Sequence, residues 1–451
     1  MQRSAWQLIA LISLTGFAAN STAETRPRYG GTLAAEIHDA VTFADPGDWP
    51  PSLIPLVYDG LVRLDAQGRP GPALAVAWQH DPENKRWEFR LRPGVKFHDG
   101  SPVNAAAVAA CLKLGAHAAI SAEGGVVVIQ AEMPAPDLLV TLADTRFVIL
   151  RRGADGVTSG TGPFRIAEWQ AGRHAVLAAN DDYWGGRPYL DGIELRMFRA
   201  YRDQSVDLEL GKADVVELSI EDARRATQRG LHTWTSAPFE LIALAFERGR
   251  TPGESLPFRQ AVALSIDRDA IHDVLLQRQG ESSSALLPQW ITGYAFLFPT
   301  ARDLQRARQM AAAFPKPGPR ATLSYDPADP LSRSIAERIA VDAREAQVLI
   351  QVAPGGQADM RIARVRLRSP DPALALFDLA VALHISEPVE PPAATPEARY
   401  LAEKKVIDDS RVIPLCHLPE ILGIGSRVKN WEPQRWGGWR LDNVWVEPRT
   451  P

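Results

Sequence analysis

His98 and Asp99 are residues whose types could do chemistry, because an imidazole beside a carboxylate can bind a metal or move a proton. They lie in the stretch RWEFRLRPGVKFHDGSPVN, which runs from Arg86 to Asn104. Gly100 follows the pair, and Asp-Gly is a strong turn signal between strands. We therefore predict a turn here rather than a catalytic or metal site.

The sequence lacks the other common patterns of catalysis. The chain has no G-x-S-x-G, H-E-x-x-H, C-x-x-C or G-x-x-x-x-G-K pattern, and its histidines lack ligand spacing. SGTGPF, from Ser159 to Phe164, is similar to part of a phosphate loop, but Arg165 stands where a third glycine would belong. We predict a tight turn before a strand there, and a helix start at Asp267. The profile favours a binding protein without a cofactor over an enzyme.

Bulk composition describes an ordinary folded chain with an export signal. The 451 residues correspond to about three domains at ~150 residues each. The net charge of −4 gives no reason to expect nucleic acid or an anionic membrane as partner. Residues 1–23 combine Arg3, an apolar run over 8–17 and small residues before Glu24, the pattern of a cleavable signal peptide. We expect a soluble protein exported to the periplasm.

Hydrophobic periodicity predicts alternating strands and helices, and hence the α/β class. Alternating apolar residues predict strands near residues 30–37, 87–91, 126–130, 192–198 and 348–352. Helical spacing predicts helices over residues 52–65, over 301–314 with Asp303 in the first turn, and over 331–346 with a cap near Ser332 or Ser334.

Five ordered motifs resemble those of the family 5 solute-binding proteins, the extracytoplasmic receptors of ABC importers for peptides, nickel complexes and related solutes. The motifs are the signature region VYDGLVRLDAQGRPGPALAVAWQHDPENKRWEFRLRPGVKFHDGSPVNAAAV, GTGPFRIAEW (160–169), NDDYWGGRPYLDGIEL (180–195), DLELGKADVVEL (207–218) and PFRQAVALSIDRDAI (257–271). In that pattern His98 and Asp99 belong to a structural turn. The resemblance covers nearly all of the chain after the signal peptide.

The resemblance implies a bilobal periplasmic-binding-protein fold (type II, cluster C-like) with an extra inserted lobe. Lobe I would comprise residues 24–45, 156–236 and 425–451, lobe II residues 46–155, and lobe III residues 237–424. Lobes I and III would close on a ligand about crossings near Trp234–Glu240 and Gly423–Val428. The partners it implies are a peptide or other small solute and the permease subunits of an ABC transporter, and the receptor would be a monomer.

The resemblance also indicates where a ligand would be held. The matching positions are His38, Asp39, Thr161, Phe239, Glu240 and the stretch from Arg364 to Leu376. Peptide-binding members carry an aspartate three residues before a D-P turn, and aligned on Asp371-Pro372 this chain has Arg368 instead. A guanidinium suits a carboxylate or phosphate, so we expect an anionic or neutral solute.

Three alternatives stay open at this point. The solute could be a metal chelate, with His38, His384 and His417 available. The chain could be a periplasmic hydrolase, or a binding module that senses solutes without feeding a transporter. Cys111 and Cys416 would lie in different lobes, where a disulfide would oppose opening, so we expect two free thiols.

Overall fold

The computed structural model describes residues 26–65, 67–115, 117–153, 158–315, 318–385, 395–432 and 438–449. The predicted signal peptide, residues 1–23, lies outside the described residues. Across the described ranges, no helix has both the length and the apolar character needed to cross a bilayer.

The strands are named in chain order. They are β1 Thr32–Glu36, β2 Val62–Leu64, β3 Pro70–Pro72, β4 Ala75–His80, β5 Arg86–Leu91, β6 Ala118–Glu123, β7 Val126–Ala131, β8 Arg151–Arg152, β9 Thr158–Ser159, β10 Phe164–Gln170, β11 His174–Ala179, β12 Gly192–Arg196, β13 Val215–Glu217, β14 His232–Thr235, β15 Glu240–Phe246, β16 Glu281–Ser282, β17 Arg320–Tyr325, β18 Leu349–Pro354, β19 Met360–Arg366, β20 Val412–Leu418, β21 Ile421–Ile424, β22 Val428–Lys429 and β23 Trp445–Val446.

The helices are named in the same way. They are α1 Ala105–Cys111, α2 Leu138–Leu142, α3 Tyr201–Glu209, α4 Ile220–Gln228, α5 Leu256–Ser265, α6 Arg268–Ala270, α7 Gln289–Thr292, α8 Leu304–Ala311, α9 Pro330–Glu345, α10 Pro372–Ala382 and α11 Pro396–Asp409. A π-helical turn, Ile271–Leu275, continues α6, and short 3₁₀ turns occur at Pro46–Asp48, Ile54–Leu56, Thr145–Phe147 and Ala295–Leu297.

Three larger sheets organise the molecule, and we name each lobe after its sheet. The seven-stranded sheet has the order β10-β11-β12-β1-β13-β21-β14, and its central strand β1 runs parallel to both neighbours. Leu33 and Ala35 of β1 are fully buried in a core that also holds Trp49 and Phe164. A strand buried on both faces needs an apolar sequence, which TLAAE largely supplies.

The six-stranded sheet has the order β16-β20-β15-β19-β17-β18. Its central strand β15 has the sequence ELIALAF, in which every residue after Glu240 is buried. Ile242 and Leu244 belong to one core, and Leu241 and Ala243 belong to the core on the opposite face. Helices α5 and α9 contribute to the first core and α10 to the second, so helices cover both faces of this sheet.

The four-stranded sheet, β4-β5-β7-β6, carries the stretch that contains His98 and Asp99. Trp87 and Phe89 alternate into its core, as the sequence predicts. The predicted turn is confirmed, since the Gly100 N–H donates to the Phe97 carbonyl (2.9 Å) and Gly100 has φ +83°. The His98 ring nitrogen Nε2 lies 3.0 Å from the carbonyl oxygen of Gly162.

The SGTGPF stretch feeds β10, as predicted, and its glycines have a steric reason. The Gly162 N–H donates to the Val57 carbonyl oxygen (2.9 Å), and the His98 N–H donates to the Gly160 carbonyl (2.9 Å). A Cβ atom on either glycine would overlap the Val57 backbone. Close backbone approach, rather than phosphate binding, therefore explains the two glycines.

Two helix predictions differ from the structure in detail. Residues 52–65 form the 3₁₀ turn Ile54–Leu56 and then β2 rather than one helix, because Pro51 and Pro55 interrupt the backbone donors. Helix α9 begins at Pro330, and its cap is Asp329 rather than Ser332 or Ser334, because Asp329 accepts from the Leu331 N–H (3.0 Å) with Pro330 in the first position. Asp303, predicted in the first turn of a helix over residues 301–314, is the N-cap of the shorter α8.

Candidate functional site

The chain passes twice between the seven-stranded and six-stranded sheets. The first crossing joins β14 to β15 over Thr235–Glu240, and the second joins β20 to β21 over Leu418–Ile421. The Ser236 N–H donates to the Glu420 carbonyl oxygen (3.0 Å), and the Glu420 N–H donates to Oγ of Ser236 (2.9 Å). The second crossing lies a few residues earlier than expected, because β21 already pairs with β13 and β14. The lobe boundaries themselves stay a prediction.

Arg366, the last residue of β19, lies beside both crossings. Its Nη1 donates to Oδ2 of Asp39 (3.2 Å), and its guanidinium lies 5.9 Å from the centre of the Phe239 ring. Burial works against the charge of Arg366, yet the carboxylates around it, led by Glu217 and Glu420, raise its pKa above the usual range. Arg366 is thus a cation that balances a group of acids beside the two crossings.

The two buried glutamates near Arg366, Glu217 and Glu420, differ in their hydrogen-bond partners. Glu217 is buried and accepts from the His38 N–H (2.8 Å), and burial raises its pKa although Arg366 opposes the effect. Burial raises the pKa of Glu420 to about 8, and neither of its carboxylate oxygens has a hydrogen-bond partner among the described residues. His38 stacks on Tyr201, with ring centres 4.4 Å apart.

Glu240 is bound by Arg364, which lies on β19 two residues before Arg366. Arg364 donates to Glu240 through Nη2 (2.5 Å) and Nε (3.2 Å), and through Nη1 to Oδ2 of Asp329 (2.8 Å). Residues two apart on a strand share a face, so Arg364 and Arg366 both point toward these acids. Asp329 is the residue that caps α9.

A cavity of about 170 Å³ lies away from this cluster. Its charged lining residues are the acids Asp59, Asp144 and Asp442 and the arginines Arg63, Arg368 and Arg440. The aromatic residues Tyr58, Tyr183 and Trp439 also line it, as do Pro51, Ala143, Thr145 and Pro370. The cavity therefore combines an apolar body with a few placed charges, as small-molecule sites do.

The charged groups of this cavity differ in what they already bind. Asp59 accepts from Thr161 Oγ1 (2.9 Å) and Trp184 Nε1 (2.8 Å), and burial raises its pKa to about 6 against these bonds. Asp442 faces Arg440 at 3.3 Å. Arg368 donates from Nη2 to the carbonyl oxygens of Gly47 (3.1 Å) and Trp49 (3.4 Å), which leaves its other N–H groups for a ligand.

Asp144 differs from Asp59 in having one buried carboxylate oxygen without a hydrogen-bond partner among the described residues. Its Oδ1 accepts from the N–H (2.8 Å) and from Nε (2.9 Å) of Arg146. Its Oδ2 is buried and has no hydrogen-bond partner among the residues that the structure describes. A buried carboxylate oxygen without a donor is costly, so a ligand N–H would stabilise it once the cavity wall moves to expose it.

The six predicted ligand residues fall into two groups. His38, Asp39, Phe239 and Glu240 lie around Arg366 at the crossings. Arg368 lines the cavity. The Thr161 hydroxyl donates to Asp59, which also lines it. Contact of any of them with a solute stays a prediction.

Sequence reasoning missed Asp144, Glu217, Glu420 and Arg366 as individual residues. The alternation of Arg364, Arg366 and Arg368 was the available signal, because residues two apart on a strand lie on the same face. No sequence signal indicated Asp144, whose role depends on long-range packing.

The family follows from comparison with known proteins. Residues 69–366 match the model of the bacterial extracellular solute-binding proteins, family 5 Middle. The chain belongs to this family. The resemblance read from the five motifs is thereby confirmed, and the family is one of solute-binding proteins.

This family 5 chain is similar to curated and solved members. It is 26% identical over 336 residues to the nickel-binding periplasmic protein of Escherichia coli strain K12, a match that spans 64% of each chain and so slightly less than two thirds of the relative. It is similar in structure to NikA from Staphylococcus aureus in complex with Ni(L-His)₂ (TM-score 0.79, 19% identity, 92% of this chain and 100% of that one). It is also similar to DppA from Helicobacter pylori in complex with peptide STSA (TM-score 0.76, 20% identity, 94% of this chain and 99% of that one).

These likenesses show the fold. The family 5 chain has the bilobal α/β architecture of periplasmic binding proteins, which confirms the predicted fold class.

Proposed function

We propose that this chain is the extracytoplasmic receptor of an ABC importer. It captures a peptide or similar small solute between its lobes by closing about the two crossings, and it delivers the solute to the membrane permease without chemical change. The observation that carries this proposal is the cavity of about 170 Å³, whose wall holds both a guanidinium and an unpartnered carboxylate oxygen.

The two charges suit the two ends of a peptide-like zwitterion. Arg368 has N–H groups for a carboxylate, and Oδ2 of Asp144, which is fully buried in this structure, becomes an acceptor for an ammonium when the wall moves to admit a solute. From sequence, Arg368 alone favoured an anionic or neutral solute. Asp144 supplies the acceptor that a free amine needs, so the combined wall favours a solute that carries both charges.

A thermal-shift screen tests the proposal. Dipeptides, amino acids, organic acids and metal chelates are added singly to the purified protein. A solute at 100 times its Kd adds about 2.7 kcal/mol to the free energy of unfolding, which raises Tm by several degrees. A screen without any stabilising solute, or turnover of one of them, would contradict a receptor.

Variants then test the cavity as the site. Arg368→Ala and Asp144→Asn should each weaken binding of the solute found in the screen by about tenfold or more, the loss expected for one charged hydrogen bond. Lys96→Ala is the control, since Lys96 pairs with Asp182 (3.2 Å) outside the cavity wall and should leave the Kd unchanged. Alanine at His38 or Asp39 and Glu240→Gln test the predicted contacts near the crossings.

A metal chelate is a second candidate solute. The nickel-binding relative and the Ni(L-His)₂ complex of a structural neighbour favour it. Native mass spectrometry of the protein incubated with Ni²⁺, with and without histidine, separates a chelate from a peptide. Added mass that requires both nickel and histidine would support the chelate.

We also infer export through residues 1–23, a periplasmic location and a monomeric receptor that uses no cofactor and binds no nucleic acid. Amino-terminal sequencing of the exported protein tests cleavage before Glu24, and light scattering tests the monomer.

A further inference from the structure

A short segment of the four-stranded lobe, residues 137–146, contacts the six-stranded lobe directly. We call it the clasp segment. Nη2 of Arg146 donates to Oδ2 of Asp378 (2.7 Å), the Thr141 hydroxyl donates to Oδ2 of Asp371 (2.7 Å), and Nη2 of Arg399 donates to Oδ2 of Asp137 (2.9 Å). Three polar pairs thus join two parts of the chain that are more than 200 residues apart.

The clasp segment is carried by a lobe that is tied to the seven-stranded lobe. His98 bonds to Gly160 through its N–H (2.9 Å), and Trp184 bonds to Asp59 through its indole (2.8 Å). Lys96 pairs with Asp182 (3.2 Å). These contacts make the four-stranded and seven-stranded lobes one side of the molecule, with the six-stranded lobe as the other.

The position of the clasp gives it a mechanical consequence. Ala143, Asp144 and Thr145 of the clasp segment line the cavity, as do Arg368 and Pro370 from the opposite side. The covalent links between the two sides are the crossings Thr235–Glu240 and Leu418–Ile421. Rotation about those links that opens the cavity must separate the clasp pairs.

The orientation and burial of the paired side chains favour a stable contact between the two sides. Arg146 is oriented by Asp144 through Nε, which directs Nη2 to Asp378. The side chains of Arg146 and Asp378 are 28% and 19% exposed, so water screens this pair less than a surface pair. Asp371 accepts the Thr141 hydroxyl with one oxygen and caps α10 with the other, which fixes its rotamer.

We propose that Arg146–Asp378 and Thr141–Asp371 form a latch that holds the two sides together over the cavity. Arg146 and Thr141 are positioning residues in this account, because they act on the lobe arrangement rather than on the solute. The inference goes beyond solute capture, since it assigns a role to the clasp segment of the inserted lobe.

Pulsed electron paramagnetic resonance tests the latch without any solute. Spin labels are attached at Met133→Cys and Val341→Cys, both exposed in the parent chain, in a Cys111→Ala background. Arg146→Ala and Thr141→Val should each move population from the shorter to a longer interlabel distance, changing the ratio of the two by about tenfold, the equivalent of one charged hydrogen bond. Circular dichroism and urea midpoints establish that each variant is folded.

Coupling and rescue separate a latch from a general weakening. Adding Asp378→Asn to Arg146→Ala should change the distances no further, and Arg146→Lys should restore most of the shorter population. Arg86→Ala, which breaks a pair with Glu123 (2.8 Å) inside the four-stranded lobe, should leave the distances unchanged. Unchanged distances in both Arg146→Ala and Thr141→Val, or an equal shift in Arg86→Ala, would overturn the latch. Because no solute is used, this result is independent of whether the proposed receptor function holds.

Discussion

Arg366 and Asp39 form an ion pair across the two main sheets, with Nη1 of the arginine 3.2 Å from Oδ2 of the aspartate. The two residues are 327 positions apart in the chain. Their pair lies beside both crossings and next to the buried Glu217 and Glu420. Several acids beside the two crossings therefore share one cation.

Removing Arg366 should destabilise the folded protein strongly. Arg366→Met keeps the apolar stem against Phe239 but leaves the acids without their cation, so we expect a loss of about 3 kcal/mol in the free energy of unfolding, measured by urea denaturation. Arg333→Ala is the control, because the pair of Arg333 with Glu337 is solvent-exposed and its loss should leave the free energy of unfolding almost unchanged. A loss no larger than the control would contradict the role of Arg366.

Stability should fall as the pH rises from about 4.3, the ordinary glutamate pKa, to about 8, the pKa of Glu420 in the folded protein. In this window the folded state keeps a proton that the unfolded chain has released, so the stabilisation is complete below the window and lost above it. Urea midpoints across this range measure the slope. Glu420→Gln should flatten it, whereas Glu337→Gln should not. An unchanged slope in Glu420→Gln would show that Glu420 is ionised in the folded protein.

Gly160 should not tolerate a methyl group. In Gly160→Ala the new Cβ would overlap the Val57 carbonyl oxygen, and backbone must move to relieve it, so we expect a loss of about 2–3 kcal/mol. In Gly71→Ala the nearest atom is 3.8 Å from the new Cβ, so stability should stay within about 0.5 kcal/mol. Thermal unfolding compares the two variants, and equal midpoints would refute the close approach.

Both cysteines are free thiols in the structure, and both should react slowly in the native protein. Burial raises the pKa of Cys416 to about 12 and that of Cys111 above its usual value, which suppresses the reactive thiolate. Ellman's reagent at neutral pH should therefore react slowly with the native protein and rapidly with two thiols in guanidinium. Absence of reactive thiols in guanidinium would reveal a disulfide.

Local patterns predicted the elements of the fold well. Alternation predicted β5 and β12, and Asp303 marked the start of α8, because these signals depend only on neighbours in the chain. The helix predicted over residues 52–65 was wrong in type, although Leu53 and Leu61 are buried as their spacing indicated. Two prolines outweighed the hydrophobic period there.

The candidate site was less accessible to sequence reasoning. Arg368 was found from its place before Asp371-Pro372, and the structure puts it in the cavity wall. Asp144 could not be found, because the significance of its Oδ2 depends on burial and on the use of Oδ1 by Arg146. The acids around Arg366 come from distant parts of the chain, and charge alone does not reveal which of them meet.

Asp329 caps α9 and also accepts from Arg364, whose other bonds go to Glu240 at the first crossing. We therefore expect a change at the first crossing to reach the first turn of this sixteen-residue helix through the Arg364 guanidinium. Deuterium exchange of the amide protons in that turn would therefore report how far the two lobes have separated.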